Sequence, residues 1–174
     1  MRKLITVLSL ISLIAFQACE GPAGPQGPPG FDGNDGVNIV SEVFEVNVNF
    51  TIENNFSEIF LFEPAIFPGD VVLTFIEWEE DNNNSIWRAV PQNIFFEEGV
   101  LIYNYDFTQT DFRLFLDGPL DYSLLGPDWV ENQLFRVVVV PGNFSGSRID
   151  WTNYEAVVKL LNLKEEDFKR IELN

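Results

Sequence analysis

Histidine is absent from the chain, and cysteine and methionine occur once each. Without histidine there is no imidazole base for a serine or cysteine nucleophile, and no imidazole to ligate zinc within one chain. A single cysteine excludes an intrachain disulfide in any compartment. Basic residues are scarce too: Lys and Arg number 10 against 27 Asp and Glu, for a formal charge of −17. That sign repels phosphate backbones, which argues against nucleic-acid binding, and it provides no polybasic grip on anionic lipid. What the 174 residues do hold is apolar mass: 46% are hydrophobic, and 17 are Phe. The chain is too apolar to be disordered and long enough for one domain with a core of its own.

Long hydrophobic runs are confined to the start, MRKLITVLSLISLIAFQAC. Arg2 and Lys3 lead, and Leu4 to Ala18 is mostly apolar. The run falls short of the roughly 20 residues that a bilayer-spanning helix needs. It fits the apolar core of a secretory signal. A plain signal cut after Ala18 would want a small residue three positions before the cut, where Phe16 stands. The segment FQAC instead resembles the lipobox of bacterial lipoproteins, with small Ala18 before Cys19. The resemblance implies that Cys19 receives a diacylglyceryl thioether, becomes the new N-terminus and is acylated again. Several acyl chains anchor stably where one is marginal. The same resemblance implies a cell envelope location, lipid-anchored at the outer membrane of a Gram-negative bacterium.

Glycine then falls on every third residue: Gly21, Gly24, Gly27, Gly30, Gly33 and Gly36. Collagen requires this period because only glycine fits its crowded axis. Pro22, Pro25, Pro28 and Pro29 preset an extended polyproline II backbone, whereas Asp32 and Asp35 replace proline in the second half. At about 3 Å per residue the tract reaches about 45 Å. So few triplets do not repay the ordering entropy of three chains without a trimeric head. The tract therefore reads as a semi-rigid spacer, with self-association as a trimer the alternative. In this order of parts the chain is similar to small bacterial lipoproteins that carry a collagen-like segment directly behind the lipidated cysteine. That similarity covers the first 38 residues.

From Ile39 the pattern changes to alternation. VFEVNVNFTI sets Phe44, Val46, Val48, Phe50 and Ile52 on one face and Glu45, Asn47, Asn49 and Thr51 on the other, as in a half-buried strand. Further strands read at IFLF, DVVLTFIEWEE, SIWRAVPQNIFF (broken near Pro91), VLIYNYDFTQ, DFRLFLDG and QLFRVVVVPG. The valine run of the last implies burial on both faces. Asp81 to Asn84 makes a polar turn, and EEG closes a hairpin. Short turns predict antiparallel neighbours, and so many aromatic faces need two sheets. The expected fold is mainly β: an antiparallel β-sandwich, or alternatively a small β-barrel, with one C-terminal helix. Thr152 and Glu155 match a capping box, and Tyr154, Val157, Val158 and Leu161 share a helical face that packs at an edge or open end of the sandwich. A short final strand is expected through Phe168 and Ile171. The predicted organisation is a signal over 1–18, the lipidated cysteine and spacer over 19–38, the head over 39–149, and a helix and tail packed on it over 150–174.

Carboxylates are the only abundant reactive groups. Glu77 and Glu79 would lie on one strand face about 7 Å apart, a separation within reach of glycoside hydrolysis. A solvated, aggregation-resistant strand end is the simpler account of Glu77, Glu79 and Glu80. Asp81 and Asn83 offer oxygen to calcium, but the turn lacks the glycine and distal glutamate of an EF-hand, and such residues favour turns anyway. The one long connection, DGPLDYSLLGPDWVEN, gathers Asp121, Tyr122, Asp128 and Trp129, which could stack on and hydrogen-bond a sugar or a peptide. The competing reading has Trp129, Leu124 and Leu125 plugging the end of the sandwich. Arg136, alone in the valine strand, either faces out or pairs with an acid. Together these features lead us to expect a non-enzymatic, membrane-anchored envelope lipoprotein without a cofactor. A carbohydrate- or protein-binding module on the 117–132 loop is the alternative, and a carboxylate glycan hydrolase a third reading.

Overall fold

The computed structural model describes residues 42–82, 84–142 and 149–171. Cys19, the glycine tract and Asn83 lie outside the described residues. The described residues belong to one compact unit, Asn38–Asn174. Among the described residues, nine strands form two open sheets. The first holds β1 (Val43–Val48), β3 (Val71–Asp81), β4 (Asn84–Ala89), β8 (Gln133–Val140) and β9 (Lys169–Ile171), in the order β4-β3-β8-β1-β9. The second holds β2 (Ser57–Leu61), β5 (Gln92–Phe96), β6 (Gly99–Phe107) and β7 (Asp111–Asp117), in the order β2-β7-β6-β5. The fold is a mainly antiparallel β-sandwich. Its sheets stay open, so the barrel alternative is excluded.

The core lies between the sheets. Phe44, Val46 and Val48 of β1 and Phe135, Val137 and Val139 of β8 face Leu101, Tyr103, Phe112 and Leu114 of the second sheet, all buried. Phe112 is the hub: its ring centroid is 4.9 Å from Phe60, 5.3 Å from Phe62 and 6.3 Å from Phe44. The break at Pro91 is the point where the chain leaves the first sheet: β4 ends at Ala89, and β5 begins at Gln92 in the second. A proline lacks the N–H that an uninterrupted ladder would use.

The valine run of β8 has the double burial expected of it. β3 and β1 flank it in the sheet. On its outer side Val138 and Val140 join Val43 and Phe75 under two helix residues, Val157 and Leu161. These belong to α2 (Tyr154–Leu161), the longer of the two short α-helices among the described residues; α1 spans Pro127–Val130. The helix therefore covers the outer face of the first sheet, rather than an edge or an open end. Each of its two buried side chains contributes roughly 1.5–3 kcal/mol. Its cap also differs from expectation. Asn153, not Thr152, caps the helix and accepts the N–H of Ala156 at 3.0 Å. Thr152 is taken by Asp150, to which it donates its N–H at 3.0 Å and its hydroxyl at 2.6 Å. Asn162, in the left-handed region at φ 53°, ends the helix. Asn153→Ala is expected to destabilise the head by about 1 kcal/mol in urea unfolding, with Thr152→Ala affecting the helix less.

Two further expectations are corrected. Ile52 does not continue the inner face of β1: the strand ends at Val48 and Ile52 is 74% exposed. A turn intervenes, in which Asn54 Oδ1 accepts the N–H of Thr51 at 2.8 Å. One parallel pair exists as well, between β1 and β9. The long crossover that parallel pairing needs is the rest of the head, since these are its first and last strands.

Candidate functional site

The loop from Asp117 to Asn132 begins at Gly118, whose φ is +107° and whose position leaves no room for a side chain: a Cβ would stand 2.2 Å from the Val100 carbonyl oxygen. Asp121 then folds back locally. Its carboxylate accepts the Ser123 hydroxyl at 2.7 Å and the Ser123 N–H at 3.0 Å, and these bonds hold it below the usual carboxylate range. Tyr122 sets its ring edge-on to Phe56 at 5.0 Å, and burial pushes its phenol up. Both residues serve the loop's own structure.

The second half of the loop plugs the sandwich. Trp129, on α1, is half-buried against the core, 5.3 Å edge-on from Phe96 and 6.3 Å from Trp78. Its carbonyl accepts the buried Tyr103 hydroxyl at 2.8 Å, and the Val130 carbonyl accepts the Phe50 N–H at 2.7 Å. Burial pushes the Tyr103 phenol well up, so it remains a hydrogen-bond donor at any ordinary pH. Leu125 packs with the plug, but Leu124 is 64% exposed and takes no part in it. The loop thus divides its four candidates. Asp128 and Trp129 border a cleft of about 320 Å³ together with Glu77, Trp78, Asn132 and Gln133. Asp121 and Tyr122 do not. The outer ring of Trp78 carries the Arg88 guanidinium at 4.0 Å. The cleft thus gathers aromatic side chains, carboxylates and side-chain amides.

The acidic end of β3 is arranged differently from the expected row. Glu77 pairs with Trp87 and Glu79 with Ile86, so a β-bulge at Trp78 lies between them. The two-residue repeat that would align Glu77 with Glu79 is broken there. Asp81 accepts the Asn82 amide at 2.7 Å. Among the described residues, no group of three or more Asp, Glu, Cys or His side chains converges for a metal.

A second electrostatic feature is centred on Arg136 of β8. Its guanidinium is buried between the rings of Trp87 and Phe168, each centroid 4.3 Å away. Nε and Nη2 donate to Glu45 at 3.2 and 3.0 Å. Nη1 donates to Glu165 at 2.9 Å and to the Tyr154 hydroxyl, and Nη2 reaches the other oxygen of Glu165. The second oxygen of Glu45 accepts from Arg170 at 3.2 and 2.6 Å. Burial works against the Arg136 charge, but the bonds that it donates to Glu165, Tyr154 and Glu45 prevail and raise its pKa. All three nitrogens are engaged within the fold. The group is therefore a clasp that joins β1, β8, α2 and β9, and it has no donor to spare for a ligand. Of the two sequence readings of Arg136, pairing with an acid is the correct one.

Glu45 gives the clasp a pH dependence. Burial raises its pKa, but hydrogen bonds from Arg170 and Arg136 outweigh burial and leave it below the ordinary value. A carboxyl with a depressed folded pKa contributes stability above its unfolded pKa of about 4.3, and that contribution is lost as pH falls through the folded value. Urea titrations are expected to show stability falling below about pH 4, with a shallower fall in Glu45→Gln; equal slopes in both would contradict this.

Set against known proteins, the chain matches no family model, no curated protein and no solved structure.

Proposed function

We propose that the protein is a non-enzymatic, lipid-anchored envelope protein in which acyl chains on Cys19 hold a Gly-x-y spacer, and the spacer presents the β-sandwich head for structural or contact roles. The observation that carries this reading is the order of parts: an apolar leader, one cysteine, six glycines in strict period, then a compact head. The head suits such an attachment. Its first strand, β1, is hydrogen-bonded to β8 on one side and β9 on the other. A pull through the spacer therefore acts on a strand held on both sides. Detergent phase partitioning tests the reading: the native protein is expected to enter the detergent phase and Cys19→Ala the aqueous phase. Equal partitioning of the two would refute it.

A second reading keeps the anchor and gives the head a ligand. It rests on the cleft that joins Asp128 and Trp129 with Glu77 and Trp78. Oligosaccharides are expected to quench tryptophan fluorescence, with affinity about tenfold weaker in Asp128→Asn, since one hydrogen bond to a charged group is worth about 1.5–3 kcal/mol. No change in fluorescence at millimolar sugar would end this reading.

A further inference from the structure

The two sheets are unequally covered. α2 roofs the outer face of the first. The outer face of the second has no such layer among the described residues, yet it does not follow the polar-out rule for a half-exposed antiparallel sheet. Ile94 and Phe96 pack inward on β5 and leave Phe95 outside at 78% exposure. Phe95 pairs with Val100 of β6, and Ile102 lies two residues further along that strand. At the opposite corner Ile59 and Leu61 of β2, 59% and 63% exposed, pair with Arg113 and Asp111 of β7, and Phe115 lies further along, opposite Ser57. Polar groups border this second corner: Arg113 lies over the Phe115 ring at 4.8 Å, and its Nε donates to Asp106 of β6 at 3.1 Å.

We infer that this face is where copies of the chain meet, and that contact between heads closes a trimer that the glycine tract is too short to form alone. The occupant follows from the chain that precedes the head. The tract ends at Gly36, and β1 begins at Val43. The seven Cα–Cα steps from Gly36 to Val43 span at most about 25 Å. A head of this size is about 35–40 Å across. Pairing of three tracts would hold their heads as neighbours, at an effective concentration on the order of millimolar. A weak face-to-face contact is then sufficient, and its free energy offsets the ordering entropy that opposes a short triple helix. The two diagonal apolar corners fit the symmetry. In a three-fold ring each contact is heterologous, so one corner of each copy meets the other corner of the next. The inference rests on the anchor-and-spacer reading only for the tract's position in the chain.

Native mass spectrometry of the mature, detergent-solubilised protein tests both points in one spectrum. The wild type is expected to be a trimer at about 10 μM. Phe95→Glu and Ile59→Glu, one in each corner, are each expected to weaken assembly at least about 100-fold and give monomers. Both sites are exposed, so the thermal midpoint is expected to stay within a few degrees, which separates lost assembly from lost folding. A monomeric wild type, or trimers that persist in both variants, would overturn the inference. So would a monomer whose Phe95→Glu variant loses adsorption to zwitterionic vesicles, since that would place the face on a bilayer. The lipid mass on each subunit reports on the anchor independently of the subunit count.

Discussion

Arg136→Ala is expected to destabilise the head by about 3–5 kcal/mol, because it strands a buried acid. In the native fold Glu45 is 8% exposed and accepts from Arg136 through one oxygen and from Arg170 through the other. Removing Arg136 takes away the better-buried partner and opens a gap between Trp87 and Phe168. Glu165, an exposed residue, can return to water, but Glu45 on β1 cannot. For a domain of this size the loss corresponds to a fall in thermal midpoint on the order of 10 °C. The direction of a second change distinguishes the mechanism. Arg136→Met combined with Glu45→Leu removes both charges and leaves apolar groups of similar volume. Such replacements are often neutral or stabilising, so the double variant is expected to recover most of the loss. If the double variant is as unstable as Arg136→Ala, the hydrogen bonds and ion pairs of the clasp, rather than a stranded charge or lost packing, carry its contribution. Thermal unfolding of the three proteins decides the matter.

Phe112→Ala is expected to cost a similar amount, about 3–5 kcal/mol, through a different cause. Phe112 is fully buried, and its ring touches residues from both sheets: Phe60 on β2, Phe44 on β1 and Phe62 just beyond β2. Its deletion removes apolar contact and leaves a cavity at the centre of the sandwich, where strands fixed by ladders on either side cannot close in. Phe112→Leu keeps most of the volume and is expected to cost roughly a third to a half as much. The urea midpoints of the two variants check this, and equal losses would mean that the site collapses freely around the deletion. The two predictions concern separate layers. Arg136 joins the helix to the first sheet, and Phe112 joins the first sheet to the second, so their effects are expected to add.

The layers were unequally legible in the sequence. Alternation marked the strands well because each buries one face, and the unbroken valines of β8 marked the central strand because it buries two. Pro91 marked an interruption, but whether the chain stays in one sheet or changes to the other depends on packing that no local pattern encodes. The bulge at Trp78 had no local signature, so the aligned carboxylates expected of Glu77 and Glu79 were not realised. At the helix cap, Thr152 and Asn153 were both competent, and the competition was settled by Asp150, which holds Thr152. The clasp was the least legible feature. Arg136 stood out in a run of valines, but Glu45 lies 91 residues away and Glu165 lies 29 away, and only the fold brings them together. Glu45 could have been suspected on a different ground: it is the one charged residue within the alternating strand β1. In the long loop, composition drew attention to four residues. It could not show that Asp121 and Tyr122 are spent on the loop itself, while Asp128 and Trp129 reach the cleft.

The anchor remains the claim on which the rest of the functional account depends, and the mass of the native protein's first peptide tests it directly. Digestion of protein taken from the membrane is expected to release a peptide that begins at Cys19 and carries a diacylglyceryl group on sulfur and an acyl chain on the new amino group. A first peptide without lipid mass, whether it begins at Cys19, at Glu20 or at the uncleaved Met1, would contradict the account.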